Sequence, residues 1–240
     1  MINHISIVIS TRNSVNYVDK CLESALSQKY SDYEIIFIDA QSNDGTYERA
    51  KSYEVNNKNI RVIQNDVRKY QGENILIGTK MSPHNSIIVT LDGDDWFAHS
   101  NVMKKINEVY ASDVWMTYGQ YRSWPDNGIG CAQEIPKNVI MSNSFRQYRW
   151  CASHLRTFYA WLFKKIKKED LMVGESFYPM TWDLAMMFPM LEMSGDHSKH
   201  IADVLYTYNT ANPINDYKVN LNLQQQLERE IRGKKRYDRI

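Results

Sequence analysis

In the first hundred residues, short β-branched runs alternate with segments whose apolar residues recur at helical spacing, and this alternation limits the fold more than any other feature. Ile5-Ser6-Ile7-Val8-Ile9 has the make-up of a buried strand, and Tyr17, Val18, Cys21, Leu22, Ala25 and Leu26 follow with the period of a helix. Tyr33 to Ile38 predicts a second strand, and Thr46 to Val55 a helix that opens after the turn Ser42-Asn43-Asp44-Gly45. Arg61-Val62-Ile63 reads as a third strand, Glu73 to Met81 as a third helix, and Ile87 to Leu91 as a fourth strand. Strands taking turns with helices imply right-handed crossovers and a mostly parallel, Rossmann-like sheet flanked by helices, an α/β class.

The fourth strand ends in Asp92-Gly93-Asp94-Asp95, followed by Trp96-Phe97. The carboxyl end of a strand opens into the crevice where α/β sheets bind ligands. Closely spaced hard oxygen ligands there favour Mg²⁺ or Mn²⁺ over softer metals. Asp and Gly are also ordinary turn formers, so the segment alone is compatible with a plain surface turn.

Composition narrows the function classes. A chain of 240 residues with 43% hydrophobic content buries one substantial core, and a net charge of +1 gives no global field that would draw nucleic acid. The three cysteines, Cys21, Cys131 and Cys151, are far apart and form no Cys-x-x-Cys pair, which argues against a disulfide framework or a structural zinc site. No apolar stretch approaches the roughly 20 residues that span a bilayer, and the amino terminus lacks secretory-signal features. The expectation is a soluble, cytoplasmic protein with no transmembrane segment. The loop after the first strand, Ser10-Thr11-Arg12-Asn13-Ser14, has no glycine. It therefore offers neither the glycine loop of a dinucleotide fold nor a Walker loop. A second acid, Asp39, ends the second strand, where a carboxylate can accept from a base N–H or a ribose hydroxyl.

Four motifs occur in order: Ile5 to Asn13, Cys21-Leu22-Glu23-Ser24-Ala25-Leu26-Ser27-Gln28, Glu34-Ile35-Ile36-Phe37-Ile38-Asp39, and Ser42-Asn43-Asp44-Gly45-Thr46. With Leu91-Asp92-Gly93-Asp94-Asp95 as a D-x-D element, this pattern resembles glycosyltransferase family 2 over roughly the first hundred residues. The resemblance implies a GT-A fold with a more irregular acceptor-side half, a nucleotide-sugar donor, a divalent metal and an inverting mechanism. It places Thr11 and Asn13 on the loop edging base and ribose, and Asp39 with Ser42 beside the base; Arg12, a departure where the family has Tyr, could reach a phosphate or be an exposed structural arginine. It makes Asp92, with Gly93, the ribose-side element and Asp94 a metal ligand. The chain departs from the family in having Ser10-Thr11-Arg12-Asn13 where Pro-Thr-Tyr-Asn is common, Ala40 in place of a second Asp, and Glu73 in place of an arginine.

The second half is rich in aromatics and Met. In Trp150-Cys151-Ala152-Ser153-His154-Leu155-Arg156-Thr157-Phe158, His154 and Arg156 would share a face if extended, and could address metal and phosphate respectively. A solvated helix or strand edge is the competing reading. Tyr178-Pro179-Met180-Thr181-Trp182-Asp183 precedes an apolar helical run and resembles the family's acidic pair, with Trp182 in place of the first acid. Asp183 is the candidate general base, and a helix N-cap is its alternative role. His197 and His200 read as loop histidines, and Asn209, Asn212 and Asn215 stand where the family carries a late histidine. Lys164 to Lys168 reads as a solvated basic face. Tyr217 to Ile231 predicts an amphipathic helix that ends in Arg232-Gly233-Lys234-Lys235-Arg236, a plain terminal helix or a tether.

The expected organisation is one GT-A domain over residues 1–215, divided near residue 100 into donor and acceptor halves, with a C-terminal helix and basic tail over 216–240. The expected activity is that of a metal-dependent hexosyltransferase that moves one sugar from a nucleotide diphosphate, taken as UDP, with inversion. The acceptor is a glycan, protein or lipid hydroxyl, and Mn²⁺ or Mg²⁺ is held by Asp92, Asp94 and His154. Arg156 joins the donor-binding set. A homo-oligomer and a peripheral membrane position stay open. The alternative is a non-catalytic nucleotide-sugar-binding protein of the same fold. A nucleotidyltransferase would need a glycine-rich basic loop that Ser10 to Ser14 does not provide.

Overall fold

In the computed structural model, the described residues are 2–213, 218 and 220–240. The sheet half follows the expected alternation closely: β1 Ile5–Thr11, α1 Val18–Leu26, β2 Tyr33–Asp39, α2 Thr46–Asn56, β3 Ile60–Gln64, α3 Gln71–Met81 and β4 Ile87–Asp92. The differences lie at the ends, where β1, β2 and β4 gain one or two polar residues that carry no hydrophobic signal and β3 gains Ile60 and Gln64. Then come β5 Trp96–Phe97, α4 Val102–Val109, β6 Met116–Trp124, α5 Lys137–Met141, β7 Thr157–Tyr159, α6 Ala160–Phe163, β8 Met172–Val173, β9 Ser176–Phe177, α7 Trp182–Ser194, β10 Ser198–Asn209 and α8 Leu221–Gly233.

Eight strands form one sheet in the order β3-β2-β1-β4-β7-β6-β10-β5, and β8 pairs with β9 in a small ribbon. Only β7 and β5 run against the rest. The carboxyl ends of β1, β2, β3, β4, β6 and β10 therefore share one edge, and β7 brings its amino end to that same edge. Alternation along the strands divides the apolar side chains between two layers. Val8, Ile36, Ile38 and Ile88 face one layer with α3, α6, α7 and α8, whereas Ile7, Ile9, Phe37, Val89 and Leu91 face the other with α1, α2 and α4. Helix α3 crosses β1 closely because position 78 has no side chain: a Cβ there would lie 2.4 Å from a methyl of Val8.

α7 is apolar on every side and buried along nearly its whole length, which marks it as a core helix rather than a surface one. Its one interior charge, Glu192, is fully buried and takes a bidentate pair from Arg146 at 2.6 and 2.9 Å. Arg146 also donates to the Ile231 carbonyl at 2.6 Å, and Glu192 accepts the Tyr237 N–H at 3.0 Å. This pair fastens α8 and the following tail to α7. The described part of α8 starts at Leu221, and Tyr217 and Asn215, named in the sequence reading, lie outside the described residues. Leu227 and Ile231 bury its apolar face, and Lys234 and Arg236 cap main-chain carbonyls of Glu169, Met172, Ser142 and Asn143. Those two basic groups serve the fold. Among the described residues, no helix is long and apolar enough to cross a membrane.

His197 and His200 correct the reading of these residues as loop histidines. His197 sits in a 3-10 turn, Gly195–His197, stacked on Trp115 at 3.9 Å, and His200 lies within β10 opposite Tyr118. Aromatic packing, which spacing does not reveal, decides both.

Removing one partner of a buried ion pair strands the other charge, which typically costs about 3–5 kcal/mol. Glu192→Ala is expected to lower stability by about that amount in urea unfolding. Arg146→Met/Glu192→Leu is expected to lose less than Glu192→Ala alone, and a larger loss in the double variant would refute the stranded-charge account.

Candidate active site

The loops after β1 and β2 lock together before any ligand is considered. Asn13, in the left-handed region at φ 54°, donates its N–H to Ser42 Oγ at 2.8 Å and accepts from the Asn43 N–H at 3.1 Å. Asp44 accepts from the Thr46 N–H at 3.0 Å and from the Val15 N–H at 3.1 Å, which starts α2 and pins the β1 loop. Asp39 is fully buried and accepts from the Ser42 N–H at 2.9 Å, from Ser42 Oγ and from Gln64 Nε2 at 3.2 Å. A carboxylate offers about four lone-pair directions, so one remains. The Arg12 Nε is buried with no partner among the described residues. Thr11 packs on Gly93 so closely that a Cβ at position 93 would lie 2.2 Å from the Thr11 Cβ. Glycine is the residue that lets the acidic turn meet the β1 loop.

Asp92 ends β4. Its carboxylate accepts from Gln71, at the start of α3, and lies 3.6 Å from His154 Nε2. Three strands over, Tyr206 of β10 ties the turn together: its hydroxyl accepts the Asp92 N–H at 3.2 Å and donates to Asp95 at 2.6 Å. Asp95 also accepts the Asn209 N–H at 2.7 Å, and Asp94 accepts from Asn212 Nδ2 at 2.6 Å. Asp92, Asp95 and His154 can each offer a ligand atom within 4.8 Å of the others. The structure thus groups Asp95, rather than Asp94, with the other two expected metal ligands. Asp95, Tyr206 and Gln71 are not among the site residues expected from the sequence. Asp95 carried a signal as the third acid of the turn, whereas nothing local marks a tyrosine or glutamine as a partner of that turn.

The antiparallel course of β7 explains why residues sixty positions away arrive here. Thr157 pairs with Val89, and the Arg156 carbonyl accepts the Thr90 N–H at 3.2 Å, so the chain just before β7 lies against the end of β4. His154 stacks between Tyr206 at 4.5 Å and Tyr208 at 5.6 Å, with its side chain 12% exposed. Arg156 is buried and donates from Nη2 to Asp183 Oδ2 at 2.8 Å. His154 and Arg156 come to one site, although the chain bends at His154 and Leu155 instead of running extended there. Asp183, by contrast, is not the helix cap. Thr181 holds that position without a side-chain cap bond, and Asp183 is the second residue of α7 with its carboxylate turned to Arg156. Trp182 meets α3 where position 72 is glycine, with 3.3 Å between its Cβ and the place a Cβ would take. Glu73, standing where an arginine was looked for, pairs with Lys69 at 2.6 Å.

Burial sets the electrostatics. It pushes Asp94 up to about 6, with the Asp92 charge adding to the effect against the Asn212 hydrogen bond. Burial, then the charges of Asp94 and Asp92, drives Asp95 well above the ordinary carboxylate range. Burial and then Arg156 lower the pKa of His154 against the opposing pull of Asp92, and the lowering favours the neutral imidazole. Crowded acids beside a neutral imidazole make a donor set of hard oxygens and nitrogen that fits Mn²⁺ or Mg²⁺.

A mostly parallel sheet with helices on both faces and an acidic turn closing its fourth strand is the GT-A fold. Known structures share it. The crystal structure of S. aureus TarS 1-349 in complex with UDP-GlcNAc aligns with a TM-score of 0.66 at 16% identity, covering 86% of this chain and 58% of that one. The mannosyltransferase PcManGT from Pyrobaculum calidifontis, in complex with GDP-Man and Mn²⁺, aligns with a TM-score of 0.61 at 16% identity, over 99% of this chain and 66% of that one. Residues 6–169 match the model of Glycosyl transferase family 2, and the chain belongs to that family. Among its relatives, glycosyltransferase GlyG of Streptococcus pneumoniae is 24% identical over 177 residues, 69% of this chain and 57% of that protein. The UDP-Glc:alpha-D-GlcNAc-diphosphoundecaprenol beta-1,3-glucosyltransferase WfgD of Escherichia coli is 24% identical over 143 residues, 58% of this chain and 55% of that protein. The chain therefore spans a little over half the length of these relatives.

Asp94 gives a test of the site's electrostatics. Its folded pKa of about 6 lies above the ordinary aspartate value of 3.8, so the folded protein holds the proton to higher pH. The stability this contributes is fully present below pH 4 and is lost as pH rises through 6. Asp94→Asn, uncharged throughout, is expected to melt close to the parent at pH 4 and progressively above it from pH 4 to 6, with a constant offset beyond. Thermal unfolding across that range checks this, and an offset independent of pH would contradict it.

Proposed function

We propose that this protein transfers one sugar from a nucleotide diphosphate sugar, with UDP as the nucleotide, to a hydroxyl acceptor with inversion of configuration. The observation that carries the reading is the meeting, at one sheet edge, of the Asp92–Asp95 turn with His154 and of Arg156 with Asp183. The donor would lie over the loops of β1 and β2, with Thr11, Asn13 and Ser42 on its nucleoside side and Arg12 near its phosphates. Asp39 would accept the uracil N3–H in place of Gln64, the longest of its three contacts at 3.2 Å. The names of WfgD and the TarS complex favour UDP, while the GDP-Man complex of PcManGT leaves the base to be chosen by residues such as Asp39.

Asp92, Asp95 and His154, whose ligand atoms come together, would hold the cation, and Asp94, which accepts from Asn212, stands beside them. Asp95 stays latched to β10 through Tyr206 and Asn209. When bound, Mn²⁺ or Mg²⁺ supplies Lewis-acid neutralisation of the charge on the departing diphosphate. The chain's own residues do the rest. Gly93 and Asp92 set the approach of the ribose side, and Asp183 accepts the proton of the attacking hydroxyl, a share of general-base catalysis worth about 10²- to 10⁴-fold. Displacement by one carboxylate-activated hydroxyl inverts the anomeric centre.

UDP-, GDP- and dTDP-sugars, each with Mn²⁺ or a chelator, are expected to release nucleotide only from UDP donors and only with metal. The product should carry the opposite anomeric configuration by NMR, and Asp183→Asn should bind UDP normally while turning over about 10²-fold or more slower. Retained configuration or a fully active Asp183→Asn would overturn the mechanism. Donor binding with no turnover on any acceptor would favour the non-catalytic alternative.

Asp39→Ala is expected to weaken UDP by about 1–3 kcal/mol in calorimetric titration while leaving Mn²⁺ binding intact. Equal UDP affinity in the two proteins would place the base elsewhere.

A further inference from the structure

We infer that Arg156 is a positioning residue for Asp183, transmitting the geometry of the β4 edge to the carboxylate that takes the acceptor's proton. The inference rests on Asp183 acting as general base. An aspartate in the first turn of a helix ordinarily turns toward the helix's free N–H groups and its positive end. Asp183 instead accepts from Arg156 Nη2 at 2.8 Å. Arg156 has no freedom of its own. Its carbonyl accepts from the Thr90 N–H at 3.2 Å and from Thr90 Oγ1 at 3.4 Å, two residues before Asp92. Its side chain is 4% exposed, and its Cζ lies 5.6 Å from the Trp182 ring centre. Trp182, the residue before Asp183, is itself wedged against α3 at Gly72. Strand, guanidinium, indole and carboxylate therefore form one rigid chain of contacts that runs from the acidic turn to the base.

This arrangement differs from a phosphate ligand in what it predicts. A guanidinium that binds diphosphate contributes to nucleotide affinity, whereas one that aims a base contributes to turnover. Small misplacements of a reacting group cost on the order of 10²-fold in rate. Arg156 keeps a buried Nε without a partner among the described residues, so its fork is anchored at one end by Asp183 and holds a spare donor.

Arg156→Gln, Arg156→Lys, Asp183→Asn and the Arg156→Gln/Asp183→Asn double variant, all in the full chain, separate the roles. UDP affinity with Mn²⁺ is read by calorimetry, and kcat and KM come from UDP release with the donor and acceptor found active. The expected result for Arg156→Gln is a kcat lower by about 10- to 100-fold with UDP affinity within about twofold of the parent. Arg156→Lys, which keeps the buried charge, should recover part of the loss, and the double variant should be no slower than Asp183→Asn alone. If Arg156→Gln weakens UDP while kcat holds, or if the two losses multiply, the positioning role is overturned. An active Arg156→Gln beside an inactive Asp183→Asn overturns positioning alone, whereas a fully active Asp183→Asn overturns the base assignment beneath it. Should Arg156→Gln melt below the assay temperature, Arg156→Lys and the double variant, which strand no buried charge, carry the same comparison.

Discussion

The site depends on the pairing of β7 against β4. Three residues of β7, hydrogen-bonded antiparallel into a sheet that otherwise runs parallel through β6, reverse the local direction of the chain. The segment leading into β7 thus arrives at the carboxyl ends of the strands, not the amino ends. Had β7 joined in parallel, His154 and Arg156 would lie at the opposite edge, far from Asp92 and Asp183. The ladder from Val89–Thr157 to the Thr90–Arg156 contact fixes the register, and a register shift would send each side chain to the other face. A short element with few hydrogen bonds therefore determines which residues can cooperate.

The acidic turn is held in an unfavourable state that a cation would relieve. Asp92, Asp94 and Asp95 crowd the end of a buried strand, and the latter two have their pKa values raised by burial and by their neighbours' charge. Tyr206 and the Asn209 N–H hold Asp95 from the β10 side, so the turn keeps its shape despite the repulsion. Cys21, which lies beneath the Asp92 carbonyl, has its thiol pushed up by burial and by the same three carboxylates, and so stays a packing group rather than a nucleophile. Strain of this kind persists only where the surrounding fold over-determines it. Here the β1 and β2 loops, knitted by Asn13, Ser42 and Asp44, supply that frame.

The other side of the cleft is stiffened from behind. α7 starts at Trp182 and Asp183 and runs into the core, where Glu192 meets Arg146 and, through it, α8. The tail that follows α8 caps carbonyls and closes back on Met193 through the Ile240 N–H. The helix that presents Asp183 is thereby clamped at both ends, by Gly72 and Arg156 in front and by the buried ion pair behind. Side chains on such a helix keep their geometry better than side chains on a loop.

Local pattern was enough for the sheet half. The β-branched runs at Ile5, Tyr33 and Ile87 and the helical spacing behind them are short-range signals, and strand ends that carry Asp39 and Asp92 follow from where those runs stop. The motifs they bear were enough to indicate the family. Roles in the second half were less legible. His154, Arg156 and Asp183 could be singled out by residue type, but the choice between cap and ion-pair partner for Asp183, and between loop and stacked ring for His197, rests on neighbours distant in sequence. Tyr206 and Gln71 gave no local sign of touching the acidic turn. The sequence by itself determined the first four strands, their alternation with helices and the acids at their ends, because hydrophobic period and turn chemistry act over a few residues. Only the tertiary structure decided which polar groups share the site, because one short antiparallel strand set the direction from which the second half reaches the first.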